Sequence, residues 1–196
     1  MPVTVTPYGF PVDDFSPKLG PTDRPFTVLS VGSHNIRKGT HYLLEAWKQA
    51  GLKGAKLRLV GPLHLARSFL DCYEGRYEHV AHVPRSRLAG EYQRADVLAF
   101  PTLCDGFGLV MQEAMCCGTP VVTTRCGGGP ECIDDGVNGW LIPDRNVDAL
   151  VEALRWAAAH REQTFERGRR ARQRAEHWTW WHASKALVGQ IRAATV

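Results

Sequence analysis

The stretch DVLAFPTLCDGFGLVMQEAMCCGTPVV, Asp96 to Val122, joins a buried strand, a glycine-bearing loop and the start of a helix that holds two carboxylates. Val97 to Phe100 is a short apolar run closed by Pro101, the pattern of a strand covered on both faces of a parallel sheet. Gly106 and Gly108 allow the next loop to turn tightly and to bring its backbone close to a ligand. The helix expected from Phe107 to Cys117 begins with free N–H groups and the positive end of its dipole, so the junction suits an anion such as phosphate. Asp105 lies in the loop and Glu113 eight residues later in the helix. One carboxylate can therefore face what is attached to a bound phosphate while the other reaches elsewhere along the ligand.

Outward from this junction the chain alternates strand and helix patterns. FTVLSVG, Phe26 to Gly32, reads as a strand, and Lys38 to Ala50 carries Tyr42, Leu43, Ala46 and Trp47 at the period of an amphipathic helix. Further strands are expected at Lys56 to Gly61, His79 to Val83, Val97 to Phe100, Pro120 to Thr124 and Gly139 to Ile142, with a helix from Arg85 to Ala95. This order predicts right-handed crossovers and a doubly wound α/β domain with a parallel sheet of about six strands, whose ligands bind beyond the strand C-termini. Residues 1–24 hold five prolines and little periodicity, so they read as an extended linker, and residues 25–196 as one domain with C-terminal helices.

Composition bounds the function. In 196 residues, 44% are hydrophobic and 22% charged, which suits a globular core rather than disorder. No apolar run approaches the ~18 residues of a membrane span, and the start MPVTVTPYGF lacks a signal peptide's basic and apolar regions, so a cytoplasmic protein is expected. Cys72, Cys104, Cys116, Cys117, Cys126 and Cys132 include no C-x-x-C pair and read as reduced thiols rather than metal ligands. The net charge of +4 is modest, and no concentrated basic face precedes residue 160, so a nucleic-acid partner is not expected. The later run of Arg167, Arg169, Arg170, Arg172 and Arg174, followed by Trp178, Trp180 and Trp181, reads as a solvated helix face. Peripheral membrane contact in a longer protein is the alternative.

The Asp96–Val122 segment resembles the donor-binding motif of the retaining GT-B glycosyltransferases called glycosyl transferase group 1, or glycosyltransferase family 4. That motif has two glutamates separated by seven residues, with Gly-Phe-Gly after the first. Asp105 stands at the first acid, one methylene shorter than Glu; Gly106, Phe107 and Gly108 stand in place; Glu113 matches the second acid. The resemblance implies that Asp105 holds the transferred sugar, that Glu113 holds the nucleotide ribose, and that the loop amides through Leu109 and Val110 bind sugar and diphosphate. In SVGSHNIRKGTHYLLEAW, Lys38 and Gly39 match a Lys-Gly pair on the donor diphosphate, whereas Ser33 stands where an arginine is expected and Arg37 is the nearest substitute. HVPRSRLAGEY resembles the loop that seats the nucleotide base, with Val83, Pro84 and Arg85 as candidates. The turn of Gly127 to Glu131 is similar to one near the cleft, with Glu131 structural. Pro7, Gly9, Phe10, Asp13, Phe15 and Pro17 resemble the stretch joining the family's two domains, which implies an N-terminal acceptor domain that this sequence does not contain.

The resemblance implies a donor domain that acts on a UDP- or GDP-sugar toward a glycan, lipid or small-molecule acceptor. Asp105, Glu113 and Lys38 are its central residues, and neither cofactor nor metal is expected. The isolated half is expected to be monomeric and unable to transfer sugar. A non-catalytic nucleotide-sugar-binding module is the alternative. A nicotinamide-dependent dehydrogenase fits poorly, because Gly32-Ser-His-Asn-Ile-Arg lacks G-x-G-x-x-G after the first strand.

Overall fold

The computed structural model describes residues 8–20 and 24–194. Its strands are β1 (Thr27–Val31), β2 (Lys56–Val60), β3 (Glu78–Val80), β4 (Val97–Phe100), β5 (Val121–Thr124) and β6 (Gly139–Ile142). They form one parallel sheet in the order β3-β2-β1-β4-β5-β6. The helices between and after them are α1 (Thr40–Ala50), α2 (Arg67–Leu70), α3 (Arg85–Gln93), α4 (Leu109–Cys116), α5 (Gly129–Cys132), α6 (Val147–Ala159), α7 (Arg161–Ala175) and α8 (Trp180–Ala194). The expected doubly wound α/β fold is present.

Alternation along the strands builds two cores, one on each face. Leu29, Val31, Leu98, Phe100 and Val121 point to the face covered by Tyr92 of α3, Met111 and Met115 of α4, and Ala171 and Ala175 of α7. Val28, Leu57, Leu59, Val97, Ala99 and Val122 point to the other, against Leu43 and Trp47 of α1 and Leu150 and Leu154 of α6. Every residue of β4 and β5 is buried, as a central parallel strand requires.

Three expectations are corrected. Of the stretch read as an extended linker, residues 8–20 have structure, whereas residues 1–7 and 21–23, Pro7 among them, lie outside the described residues: Val12–Asp14 forms a 3-10 helix, and Phe10, Val12 and Phe15 are buried in the first core. Its backbone is fastened as well, since the Phe10 N–H donates to the Trp178 carbonyl and the Lys18 N–H to the Cys117 carbonyl. Prolines at 11 and 17 mask this in the sequence, because they remove periodicity without removing the large apolar side chains between them. The third strand ends at Val80 rather than Val83, and Pro84 takes the N-cap position of α3.

The third correction concerns the arginine run. Arg167 lies between the rings of Trp140 and Trp156, 4.5 and 4.1 Å from their centroids. Arg172 donates to the carbonyls of Phe15 and Cys116, both at 2.7 Å, and Arg174 to Asp134 and the Glu131 carbonyl. Arg169 and Arg170 pair with Glu166 on their own helix. Three of the five arginines thus fasten α7 to the domain, and the run is not a purely solvated face. Trp178 packs against the first core, while Trp180, Trp181, Leu187 and Ile191 on α8 are exposed.

Candidate functional site

The strand order reverses between β1 and β4, and a loop leaves the C-terminal end of each at that point, where a doubly wound sheet binds its ligands. The β1 loop carries Arg37, Lys38 and Gly39; the β4 loop carries Asp105 to Gly108. Main-chain bonds tie them together: the Leu103 N–H donates to the Arg37 carbonyl at 2.8 Å, and the Thr102 hydroxyl to the same oxygen at 3.3 Å. Gly39 has a positive φ of 68°, and a Cβ there would run into the Pro101 carbonyl oxygen, so glycine is what lets the loops meet.

This closeness brings Lys38 and Asp105 together. The Lys38 ammonium is hydrogen-bonded to Asp105 Oδ2 and stands 5.2 Å from the centroid of the Phe100 ring. The Lys38 N–H in turn donates to Asn35 Oδ1 at 3.0 Å, which fixes the loop beneath it. The side chain of Arg37 is exposed.

Gly108, at φ 94°, sits at the N-cap, so α4 begins at Leu109 and not at the expected Phe107. Phe100 and Met111 crowd the position of its missing Cβ, which packs the loop onto the end of β4. The Met111 N–H donates to the Gly108 carbonyl at 2.9 Å. The amides before it, at the head of the helix, are the donors that a helix start offers to an anion. Phe107 is half-buried and its carbonyl accepts from the Gly128 N–H at 2.9 Å, so the turn of Gly127 to Glu131 braces the loop from behind. Leu109 is exposed and Val110 half-buried.

Glu113 lies one turn into α4 and is only 6% exposed. The Tyr92 hydroxyl donates to its Oε2 at 2.6 Å, and the Arg85 guanidinium stands 3.6 Å from Oε1. Burial raises the carboxyl above its ordinary range, while the tyrosine bond and the arginine oppose that rise. Arg85, expected beside a nucleotide base, thus faces the ribose candidate; Val83 packs on the first core and Pro84 is exposed. The candidates therefore form two ionic pairs, Lys38 with Asp105 and Arg85 with Glu113.

Tyr92 is a residue that sequence reasoning missed. As one tyrosine at the end of a helix pattern it reads as core, and only the placement of α3 against α4 shows its partner. Cys116, Cys117 and Cys132 are buried, and burial pushes each thiol up to about 12; all six cysteines are unpaired. Among the described residues no group of three or more His, Cys, Asp or Glu side chains is arranged to hold a metal, and no helix is long and apolar enough to cross a membrane.

The family model described as "Glycosyl transferases group 1" matches residues 25–160. A D-inositol 3-phosphate glycosyltransferase of Saccharomonospora viridis is 39% identical over 107 residues, covering 55% of this chain and 25% of that protein. One of Mycobacterium leprae is 38% identical over 114 residues, covering 56% and 26%. The chain thus spans about a quarter of these curated relatives. Among solved structures, sucrose-phosphate synthase from Thermosynechococcus elongatus superposes with a TM-score of 0.82 at 28% identity, over 97% of this chain and 52% of that one. Anabaena HepE, crystallised with UDP-glucose, superposes with a TM-score of 0.79 at 21% identity over 94% and 56%, a likeness of fold.

Proposed function

Because the chain belongs to the glycosyl transferases group 1 family, we propose that it is the donor-binding domain of a retaining glycosyltransferase that transfers a hexose from a UDP- or GDP-sugar. The observation that carries this reading is the meeting of Lys38 and Asp105 at the switch point, on the loop that leads into α4. A cation, a carboxylate and a helix start on two loops that meet at the C-terminal edge of the sheet match the parts of a sugar nucleotide. The sugar offers hydroxyls that donate to a carboxylate, and the diphosphate takes the cation and the amides. That HepE, which shares this fold, was crystallised with UDP-glucose supports a ligand of this kind.

When the bond from the anomeric carbon to the diphosphate breaks, negative charge grows on the departing phosphate oxygen. Lys38, released from Asp105, and the amides of Gly106 to Val110 offset that charge where it develops, with Arg37 close enough on its loop to join them. Asp105, freed at the same moment, accepts hydroxyl protons of the hexose, and Glu113 accepts from the ribose. Charge is carried by side chains and amides in this account, so it contains no metal step. The acceptor is a glycan, lipid or small molecule met by a second domain of the whole protein. Ser33 at the place of an arginine favours the second reading, a module that binds the sugar nucleotide without turnover.

Calorimetry separates the roles. Glu113→Gln should weaken UDP or GDP by about 1.5–3 kcal/mol, the worth of a hydrogen bond to a charged group. Asp105→Asn should leave the free nucleotide nearly unchanged and remove the added affinity of UDP-glucose or GDP-mannose. If both variants fold and bind every nucleotide as the parent does, the donor site is misplaced.

A further inference from the structure

Glu113 is a carboxylate whose two oxygens the fold treats differently. Oε2 accepts from the phenol of Tyr92, a side chain with no exposure, seated near the end of α3. Oε1 faces Arg85, whose side chain is 65% exposed and stands 3.6 Å away. Both partners rest on one ring: Phe15 meets Tyr92 edge-on with centroids 6.3 Å apart, and the Arg85 guanidinium lies 5.8 Å from the Phe15 centroid. Phe15 is itself fastened through its carbonyl by Arg172. The phenol therefore cannot leave, and the guanidinium can.

We propose that Tyr92, braced by Phe15, is a positioning residue: it fixes Oε2 of Glu113 so that Oε1 is presented to the vicinal hydroxyls of a ribose, with Arg85 holding that place until the ribose arrives. The inference rests on the ribose role proposed for Glu113. Without the phenol, Oε2 loses its donor, the exposed Arg85 is left to orient the carboxyl group, and burial would favour its neutral form. A neutral carboxyl keeps a proton on one oxygen and accepts two ribose hydroxyls less well than a carboxylate does. Tyr92 opposes both losses. The other titratable groups around Glu113 are Cys116 and Cys117 along α4, whose thiols burial keeps neutral, and, beyond Cys116, Arg172 and Glu176 at the end of α7 and Asp13 of the 3-10 helix.

The test compares UDP with 2′,3′-dideoxy-UDP, which lacks the two hydroxyls, in the parent chain and in Tyr92→Phe. The parent should prefer UDP by about tenfold or more, the worth of a charged hydrogen bond. Tyr92→Phe should lose most of that preference while binding dideoxy-UDP as the parent does. Its remaining preference should also fade at a higher pH than the parent's, because Glu113 then takes up a proton more readily. General damage to the fold would weaken both ligands alike and leave the preference intact. A parent with no preference would overturn the ribose role of Glu113 and the inference with it. A parent that prefers UDP beside a Tyr92→Phe variant with the same preference and pH profile would overturn the positioning role alone. Should the variant fail to fold, NMR of the parent decides: the buried Tyr92 hydroxyl proton should stay protected from exchange when UDP is added, and its release would overturn the proposal.

Discussion

Two aspartates flank β4, and the fold uses them in opposite ways. Asp96 precedes the strand and is saturated: the Thr27 N–H donates to it at 2.8 Å, Arg24 at 3.1 Å and Arg161 at 3.3 Å. Arg161 also donates to the Arg24 carbonyl at 2.8 Å, which closes a clamp across the N-terminal edge of the sheet. Asp105 follows the strand and shares a single cation, Lys38, beside a glycine loop. Two aspartates with opposite roles are thus one strand apart. An acid whose lone pairs are filled by the protein holds the fold, whereas an acid with capacity left over, next to free amides, is available to a ligand.

The largest expected effect breaks the saturated end. Asp96→Ala removes one carboxylate from two arginines and an amide, leaving their charge uncompensated in a partly buried place. Urea unfolding should show a loss of about 3 kcal/mol, the upper worth of a charged hydrogen bond, because the partly exposed carboxylate accepts from two guanidiniums and an amide together. A loss no larger than that of Asp105→Ala would dissolve the contrast between the two ends.

His34 sharpens the contrast from the site side, because it shows that not everything near the C-terminal edge is open to ligand. It is 2% exposed, its Nε2 lies 3.2 Å from the Val60 carbonyl, and burial holds its pKa down to about 4 against an ordinary 6.5. The unfolded chain takes up a proton as pH falls through 6.5, but the folded chain does not until about 4. Stability from this group is therefore complete above pH 6.5 and is lost progressively down to pH 4, by about 3 kcal/mol. Thermal unfolding across that range should show the decline, and His34→Gln should flatten it.

How much of this was legible in the sequence depends on whether a feature is local. The β4–loop–α4 junction is contiguous, and its apolar run and glycines announce a strand, a tight turn and a helix, with only the helix start misplaced by two residues. Lys38 was legible as a ligand candidate, but its bond to Asp105 was not, since it depends on two loops that the strand order brings together. Tyr92 and Phe15 illustrate the same limit: one looks like core and the other like linker, and they meet beside Glu113 only when α3, α4 and the N-terminal segment pack. The arginines of α7 were misread for a related reason. A basic run looks solvated until the tryptophans and carbonyls that receive it are folded against it.

The smallest expected effect tests the pair on which the site reading turns. The side chains of Lys38 and Asp105 are 19% and 16% exposed, as partly buried as Arg24 and Asp96 at 23% and 14%, but theirs is a single ionic contact, whose attraction is offset by the cost of ordering two side chains. A double-mutant cycle with Lys38→Met and Asp105→Asn should therefore give a coupling of about 1 kcal/mol or less in unfolding free energy. In ligand binding the two should differ in kind. Lys38→Met should weaken UDP itself, because the diphosphate loses its cation. Asp105→Asn should not, and by weakening Lys38's hold on the loop acid it could only raise the affinity for free UDP. A strong stability coupling would mean that the pair is a second clamp like that of Asp96, kept closed rather than opened by a ligand. A weak one, with the two binding effects separated, is what a carboxylate and a cation waiting for the two ends of a sugar nucleotide require.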